Sequence, residues 1–207
     1  MYGGRISILV GGAVGGISTI LGLAIGLVAG YYRKVDAVIM RFMDGLMAFP
    51  SLILALALIA VLGASVQNVI IVITIVSVPL VARVVRASVL SLREQQFIDA
   101  AKALGVPDWR ILMLHIAPNT LAVLMVQGTF VFALAVIAEA NLSFLGAGVP
   151  PTTPSWGNIM GEGRTYLSLA FWVTFFPGVF LSLTVLAINL LGDGLRDALD
   201  PKLRRRA

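Results

Sequence analysis

The chemistry open to this chain is narrow. Its 207 residues contain no cysteine, which excludes disulfides, thiolate metal sites and cysteine nucleophiles. A single histidine, His115, leaves no His pair for zinc and no base for a nucleophilic triad, so a cap or interface role at a membrane edge is expected for it. Ser143 and Ser155 stand in no nucleophile-elbow context. A phosphate-cradling G-x-x-x-x-G-K-S/T loop is missing too, because Lys34, Lys102 and Lys202 are followed by Val, Ala and Leu. The expectation is a chain with no catalytic, cofactor-binding or metal-binding residue of its own, no enzyme, and any driving energy supplied by another subunit.

Four polar side chains interrupt or border the apolar runs: Gln127, Glu139, Asn141 and Asn189. Each either lines a pathway or bonds one helix to another. Glu139 lies 20 residues beyond Asn119, about 30 Å along a helix, which puts it near an outer mouth as a gate or as a solvated group.

The longest polar stretch is residues 93–119, R-E-Q-Q-F-I-D-A-A-K-A-L-G-V-P-D-W-R-I-L-M-L-H-I-A-P-N. Its first half reads as a short amphipathic helix, with Phe97, Ala101 and Leu104 on one face and Gln95, Asp99 and Lys102 on the other. Gly105 stops it, since glycine enters the left-handed conformation at a helix C-terminus. Pro107 and Asp108 suit the first turn of a second helix, where a carboxylate meets the positive end of the dipole. Trp109, Leu112, Met113 and Ile116 form the expected apolar stripe of that short helix, and Pro118 marks a change of course.

The elements around this island are membrane spans. Hydrophobic residues make up 59% of the chain and charged residues 12%, with a mean hydropathy of +0.99, whereas soluble domains carry about 25% charged residues. Residues 6–29 are 24 positions without a charge, long enough to cross a hydrocarbon core of about 30 Å. Glycines recur there at intervals of four: Gly11 and Gly15, Gly12 and Gly16, then Gly22, Gly26 and Gly30. One side is thus nearly bare, favouring a packing seam within the chain over a subunit interface. Tyr31, Tyr32, Arg33 and Lys34 form an interfacial anchor.

Residues 45–82 hold 38 uncharged positions, enough for two helices, with turn chemistry at 63–68 dividing them and a kink expected at Pro50. Five spans result, at about 6–30, 36–62, 67–90, 117–144 and 166–192, the fifth with a kink or short break at Pro177 and Gly178. Residues 145–164, rich in proline and glycine, read as a compact loop on one face with Trp156 as its anchor, and residues 193–207 as a tail.

Of 15 lysines and arginines, Arg5 and Arg164 fall on one side of this topology and the remaining 13 on the other, which is cytoplasmic by the positive-inside rule. The polar island and the C-terminus then face the cytoplasm, the proline-rich loop faces outward, and the N-terminus lies outside. The net charge of +5 is explained by this flanking, without a basic stripe for nucleic acid.

Asp99-Ala100-Ala101, Gly105 and Ala117-Pro118 resemble the EAA loop of bacterial ABC importer permeases, with Asp99 in place of Glu, His115 of Ile and Ala117 of Leu. Residues 141–158, N-L-S-F-L-G-A-G-V-P-P-T-T-P-S-W-G-N, and 192–204, G-D-G-L-R-D-A-L-D-P-K-L-R, are similar to the second permease subunit of dipeptide, oligopeptide and nickel importers. The resemblance runs the length of the chain. It implies an all-α transmembrane bundle of the type I (MetI-like) permease kind in a bacterial inner membrane, one N-terminal span short of the usual pattern.

It further implies a permease forming half of a path for peptides or nickel. The implied partners are a homologous second permease, two ATPases that use ATP and magnesium, and an external substrate-binding protein. Coupling to the ATPases is expected through Phe97, Ala100, Ala101, Leu104 and Trp109 as packing residues, Asp99, Lys102 and Arg110 as polar contacts, and Gly105 and Pro118 as joints. The alternative reading of the island is a helix lying flat on lipid headgroups, disfavoured by Glu94 and Asp99. The alternative for the whole chain is a stand-alone channel or secondary transporter, disfavoured by spans almost free of ionisable groups. The resemblance also implies that residues 141–158 meet the binding protein.

Overall fold

A computed structural model describes residues 2–199, so Lys202, Arg204, Arg205 and Arg206 of the expected tail lie outside the described residues. All regular elements among the described residues are helical: α1 (Tyr2–Tyr31), α2 (Arg33–Met47), α3 (Ser51–Leu62), α4 (Val66–Leu92), α5 (Gln96–Ala103), α6 (Asp108–Arg110), α7 (Ala117–Phe144), α8 (Trp156–Gly163) and α9 (Trp172–Leu199). Four helical stretches among these are long and apolar enough to cross a membrane: α1, α4, α9 and the continuous run Asp108–Phe144.

The core is built on the bare side of α1. A Cβ added at Gly22, Gly26 or Gly30 would fall 2.5–2.6 Å from the Cβ of Val81, Val85 or Val89 on α4. Both sets advance by four residues in the same direction, so α1 and α4 run parallel and meet backbone to side chain along three rungs. Val81, Val85 and Val89 are buried as a result. Nearer its start, α1 turns Gly11 and Gly15 toward Val136 and Phe132 of α7, which runs antiparallel to it. The glycine repeat is therefore a seam within the chain, as small-residue packing in apolar surroundings requires. Gly16 faces open space and takes no part.

The stretch 36–62 departs from the single kinked span expected of it. It forms two helices, α2 and α3, bent by 89° at a corner containing Pro50. Proline lacks an N–H and drives the preceding Phe49 out of helical geometry, and the charged α2 has no reason to enter hydrocarbon. Asp36 and Asp44, eight positions apart on α2, pair with Arg86 and Arg83, three apart on α4, so α2 crosses α4 broadly. Arg86 Nη2 donates to Asp36 Oδ2 at 2.6 Å and its Nε to the other carboxylate oxygen, while Arg83 Nη2 donates to Asp44 Oδ1 at 2.6 Å. The 12-residue α3 spans about 18 Å and alone falls short of a bilayer core. Its corner borders a mainly apolar cavity of about 500 Å³ against α4 and α7.

Two further boundaries move. The last long helix starts at Trp172, after a 3-10 turn at Arg164–Tyr166, and holds Pro177 inside it without a break. It continues past Gly192 to Leu199, into the stretch expected as tail.

Candidate functional site

The polar island folds as α5, a glycine turn, and a second helix that does not end. α5 closes with a Schellman motif: Gly105, at φ +74°, donates its N–H to Lys102 O at 3.0 Å, and Val106 donates to Ala101 O at 3.1 Å. Ala101 and Val106 then pack inward together. After Pro107 the chain enters α6, a π-helical stretch at Ile111–Ile116, and α7 without interruption. Pro118 was expected to turn the chain, yet the helix passes through it. In an α-helix the ring would clash with the carbonyl four residues back. Here the preceding turn is widened, with Ala117 N–H bonded to Leu112 O five residues back.

Three connections hold this loop to the spans. Tyr31 Oη at the end of α1 donates to Asp108 Oδ1 at 2.6 Å. Arg93 Nη1 donates to Gly30 O at 3.0 Å, at the last rung of the glycine seam. Ile98, Ile111 and Ile116 are fully buried and join the core. A partly polar cleft between α1 and α5 is edged by Arg33, Glu94, Asp99 and Lys102.

The faces of α5 differ from the sequence expectation. Phe97 and Leu104 point outward, Leu104 at 83% exposure, and Ala100 is exposed with them. Ala101, expected beside them as a packing residue for a partner, is buried with Ile98 on the adjoining side. The correction follows from spacing: Phe97, Ala100 and Leu104 stand at i, i+3 and i+7, which is as good a helical stripe as Phe97, Ala101 and Leu104. The second stripe is likewise redistributed, with Ile111, Leu112 and Ile116 inside and Trp109, Met113 and Leu114 outside. Asp99, Lys102 and Arg110 are exposed, Lys102 Nζ standing 3.7 Å from Asp99 Oδ1 and the Arg110 guanidinium 5.5 Å from the Trp109 ring centre. Pro118 is exposed and His115 half-buried. The product is a fixed two-helix wedge carrying an outward apolar patch with charges at its rim.

The four polar residues considered for a pathway separate. Gln127 and Asn189 line one cleft of about 320 Å³ between α7 and α9, with Thr129 and Asp193. Asn141 is exposed at the wall of the apolar cavity. Glu139 faces neither: it is 0% exposed and accepts hydrogen bonds from Ser7 and Ser143, each at 2.7 Å. A mouth-facing or solvated position for Glu139 is thereby corrected; the depth along α7 was legible and the direction was not. Ile98 and Ser7 escaped notice in the sequence, the first hidden among adjacent apolar residues and the second an ordinary serine in a glycine-rich helix. Among the described residues no group of three or more His, Asp or Glu could hold a metal ion.

Comparison with known proteins places this geometry. Residues 20–205 match the family described as binding-protein-dependent transport system inner membrane component. The chain is 50% identical over 204 residues to a putative peptide transport system permease protein of Brucella suis, covering 99% of this chain and 69% of that one. It is 47% identical over 205 residues to the dipeptide transport system permease protein DppC of Alkalihalophilus pseudofirmus, covering 99% and 67%. In fold it is similar to a chain of the MetNI methionine ABC transporter in an inward-facing conformation, with a TM-score of 0.78 at 20% identity over 96% of this chain and 94% of that one. A wedge set between apolar helices, on a chain matched to this family over nine-tenths of its length, identifies it as a member of the binding-protein-dependent transport system inner membrane components, a permease subunit of an ABC importer.

Proposed function

We propose that this permease subunit imports peptides, forming half of the path with a homologous second permease. Two ATPases at the basic end drive it, and a substrate-binding protein delivers solute at the other end. The observation that carries the coupling part is the outward patch of Phe97, Ala100, Leu104 and Trp109 on an element whose adjoining side, Ile98 and Ala101, is buried in the bundle. A docking element needs an apolar contact, charges that set register and stiff joints. Here Asp99, Lys102 and Arg110 supply the charges, and the Tyr31–Asp108 and Arg93–Gly30 bonds with the Schellman turn supply the joints. The distribution of lysine and arginine supports a cytoplasmic position for this end. The peptide class rests on the names of the relatives.

The experiment is co-purification of the ATPases with the permease complex from membranes, combined with uptake of dipeptides and of nickel. Leu104→Asp and Phe97→Asp place charge in the outward patch and are expected to lose the ATPases while membrane insertion and the second permease are retained. ATPases retained at the wild-type ratio in both variants refute docking through this patch. Uptake of nickel without uptake of peptides refutes the substrate class.

A further inference from the structure

Glu139 lies just over one turn before the end of α7, and none of it is exposed. A buried carboxyl group is costly unless its oxygens find donors. Ser7 Oγ of α1 donates to Oε2 and Ser143 Oγ of α7 donates to Oε1, both at 2.7 Å. Neither hydroxyl stops there. The backbone N–H of Trp156 donates to Ser7 Oγ at 3.4 Å, and that of Val149 donates to Ser143 Oγ at 3.1 Å. A hydroxyl has a single proton, so an N–H aimed at its oxygen leaves that proton for the carboxyl group. Glu139 therefore accepts on both sides, and each serine relays its hold to a different point of the loop before or at the start of α8.

The loop has its own internal bracing. Asn158 Nδ2 lies 3.0 Å from Val149 O, 3.2 Å from Pro150 O and 3.0 Å from Thr153 O, and Ser155 Oγ caps α8 by accepting from Asn158 N–H at 3.1 Å. Gly157 rests on the backbone of Ala140, and the Trp156 ring covers Gly4. Asn158 sets the shape of the loop, while the Glu139 fork sets where that shape sits on the bundle. The two cations at this end are engaged elsewhere, Arg5 over the Tyr2 ring and Arg164 over the Phe144 ring. No salt bridge among the described residues involves Glu139.

We propose that Glu139 is a positioning residue which, through Ser7 and Ser143, holds the outer loop in the pose that receives the substrate-binding protein. This rests on the reading that residues 141–158 meet that protein. The exposed tip at Pro151, Thr152 and Pro154 then stands preorganised, so docking incurs little ordering cost. Both carboxyl oxygens accept here, and glutamine replaces one of these acceptors by an N–H donor.

The test uses the complete importer in lipid nanodiscs. Because this chain has no cysteine, Thr152→Cys gives it a single spin-label site. Label mobility reports the loop without any partner, and ATPase activity titrated with the binding protein gives a half-saturation concentration and a maximal rate. Glu139→Gln is expected to mobilise the label and raise half-saturation about tenfold, with the maximal rate held within about twofold. Ser7→Ala and Ser143→Ala should each give a smaller rise that adds nothing in the Glu139→Gln background. An unchanged label and unchanged half-saturation in Glu139→Gln overturn the proposal. A mobilised label with unchanged half-saturation supports the hold on the loop and overturns the reading that the loop meets the binding protein. Should Glu139→Gln fail to assemble, the serine variants decide: an immobile label in both overturns the proposal.

Discussion

Gly26→Ala is the most informative single perturbation of the bundle. The added Cβ would lie 2.6 Å from Val85 Cβ, 2.7 Å from the Ala82 carbonyl oxygen and 2.8 Å from Val85 Cγ1. Carbon atoms rest at about 3.5–4.0 Å, so α1 and α4 must part by about 1 Å at this rung. Two of the three clashing atoms are backbone or Cβ and cannot rotate aside. Overpacking then costs about 3 kcal/mol, the upper part of its usual range, against a gain of about 1 kcal/mol from replacing glycine by alanine in a helix. The expected net loss is about 2 kcal/mol. Gly16→Ala is the matched control, since its Cβ meets nothing within 4 Å and only the helix gain remains. Reversible unfolding in mixed micelles measures both. Val85→Ala should not rescue Gly26→Ala, because Val85 Cβ and Ala82 O stay in place. Wild-type stability in Gly26→Ala, or full rescue by Val85→Ala, would refute the argument for a backbone-limited seam.

Gly105→Ala forces φ +74° on a residue with a side chain, costing about 1–2 kcal/mol, and should lower ATPase co-purification without loss of insertion. Asp36→Asn breaks a bidentate, partly buried pair with Arg86 and is expected to destabilise by about 1.5–3 kcal/mol in the same unfolding assay. Asp44→Asn, at a pair whose two side chains are at least half exposed, should cost under about 1 kcal/mol. Ala101→Glu buries a charge against the core, so it should loosen the whole loop, detected by proteolysis within residues 93–110, whereas Leu104→Asp should leave that region protected.

Much of the fold is visible in the sequence because long uncharged runs admit few alternatives in a bilayer. Residues 6–29 could hardly be other than a span, and the Gly22, Gly26, Gly30 repeat announced a bare side. Its partner was invisible, since Val81, Val85 and Val89 are three among many apolar residues of α4 and no polar pattern singles out their side. The island was legible as helix, glycine turn and helix because Gly105 and Pro107 act through local backbone preferences. Its inward side was not, because Phe97, Ile98, Ala100, Ala101 and Leu104 form one continuous arc of about 160° and periodicity cannot choose among them. Pro50 and Pro118 look alike in sequence, yet one makes a corner and the other is absorbed. The difference lies in the neighbouring turns, widened into π geometry before Pro118 and left open before Pro50. Glu139 shows the same limit: position along a helix follows from counting, whereas direction needs Ser7, 132 residues away.

The unbroken run from Asp108 to Phe144 has a mechanical consequence. Asp108 and Glu139 ride on one rod, separated by about 45 Å of helix. A lean of about 10° imposed at the Asp108 end would swing the far end sideways by about 8 Å, if the rod pivots at its base and stays rigid. The wide π turn at Ile111–Ile116 is where such a rod would flex. Stroke at the Glu139 end is therefore set by the stiffness of six residues near the Asp108 end.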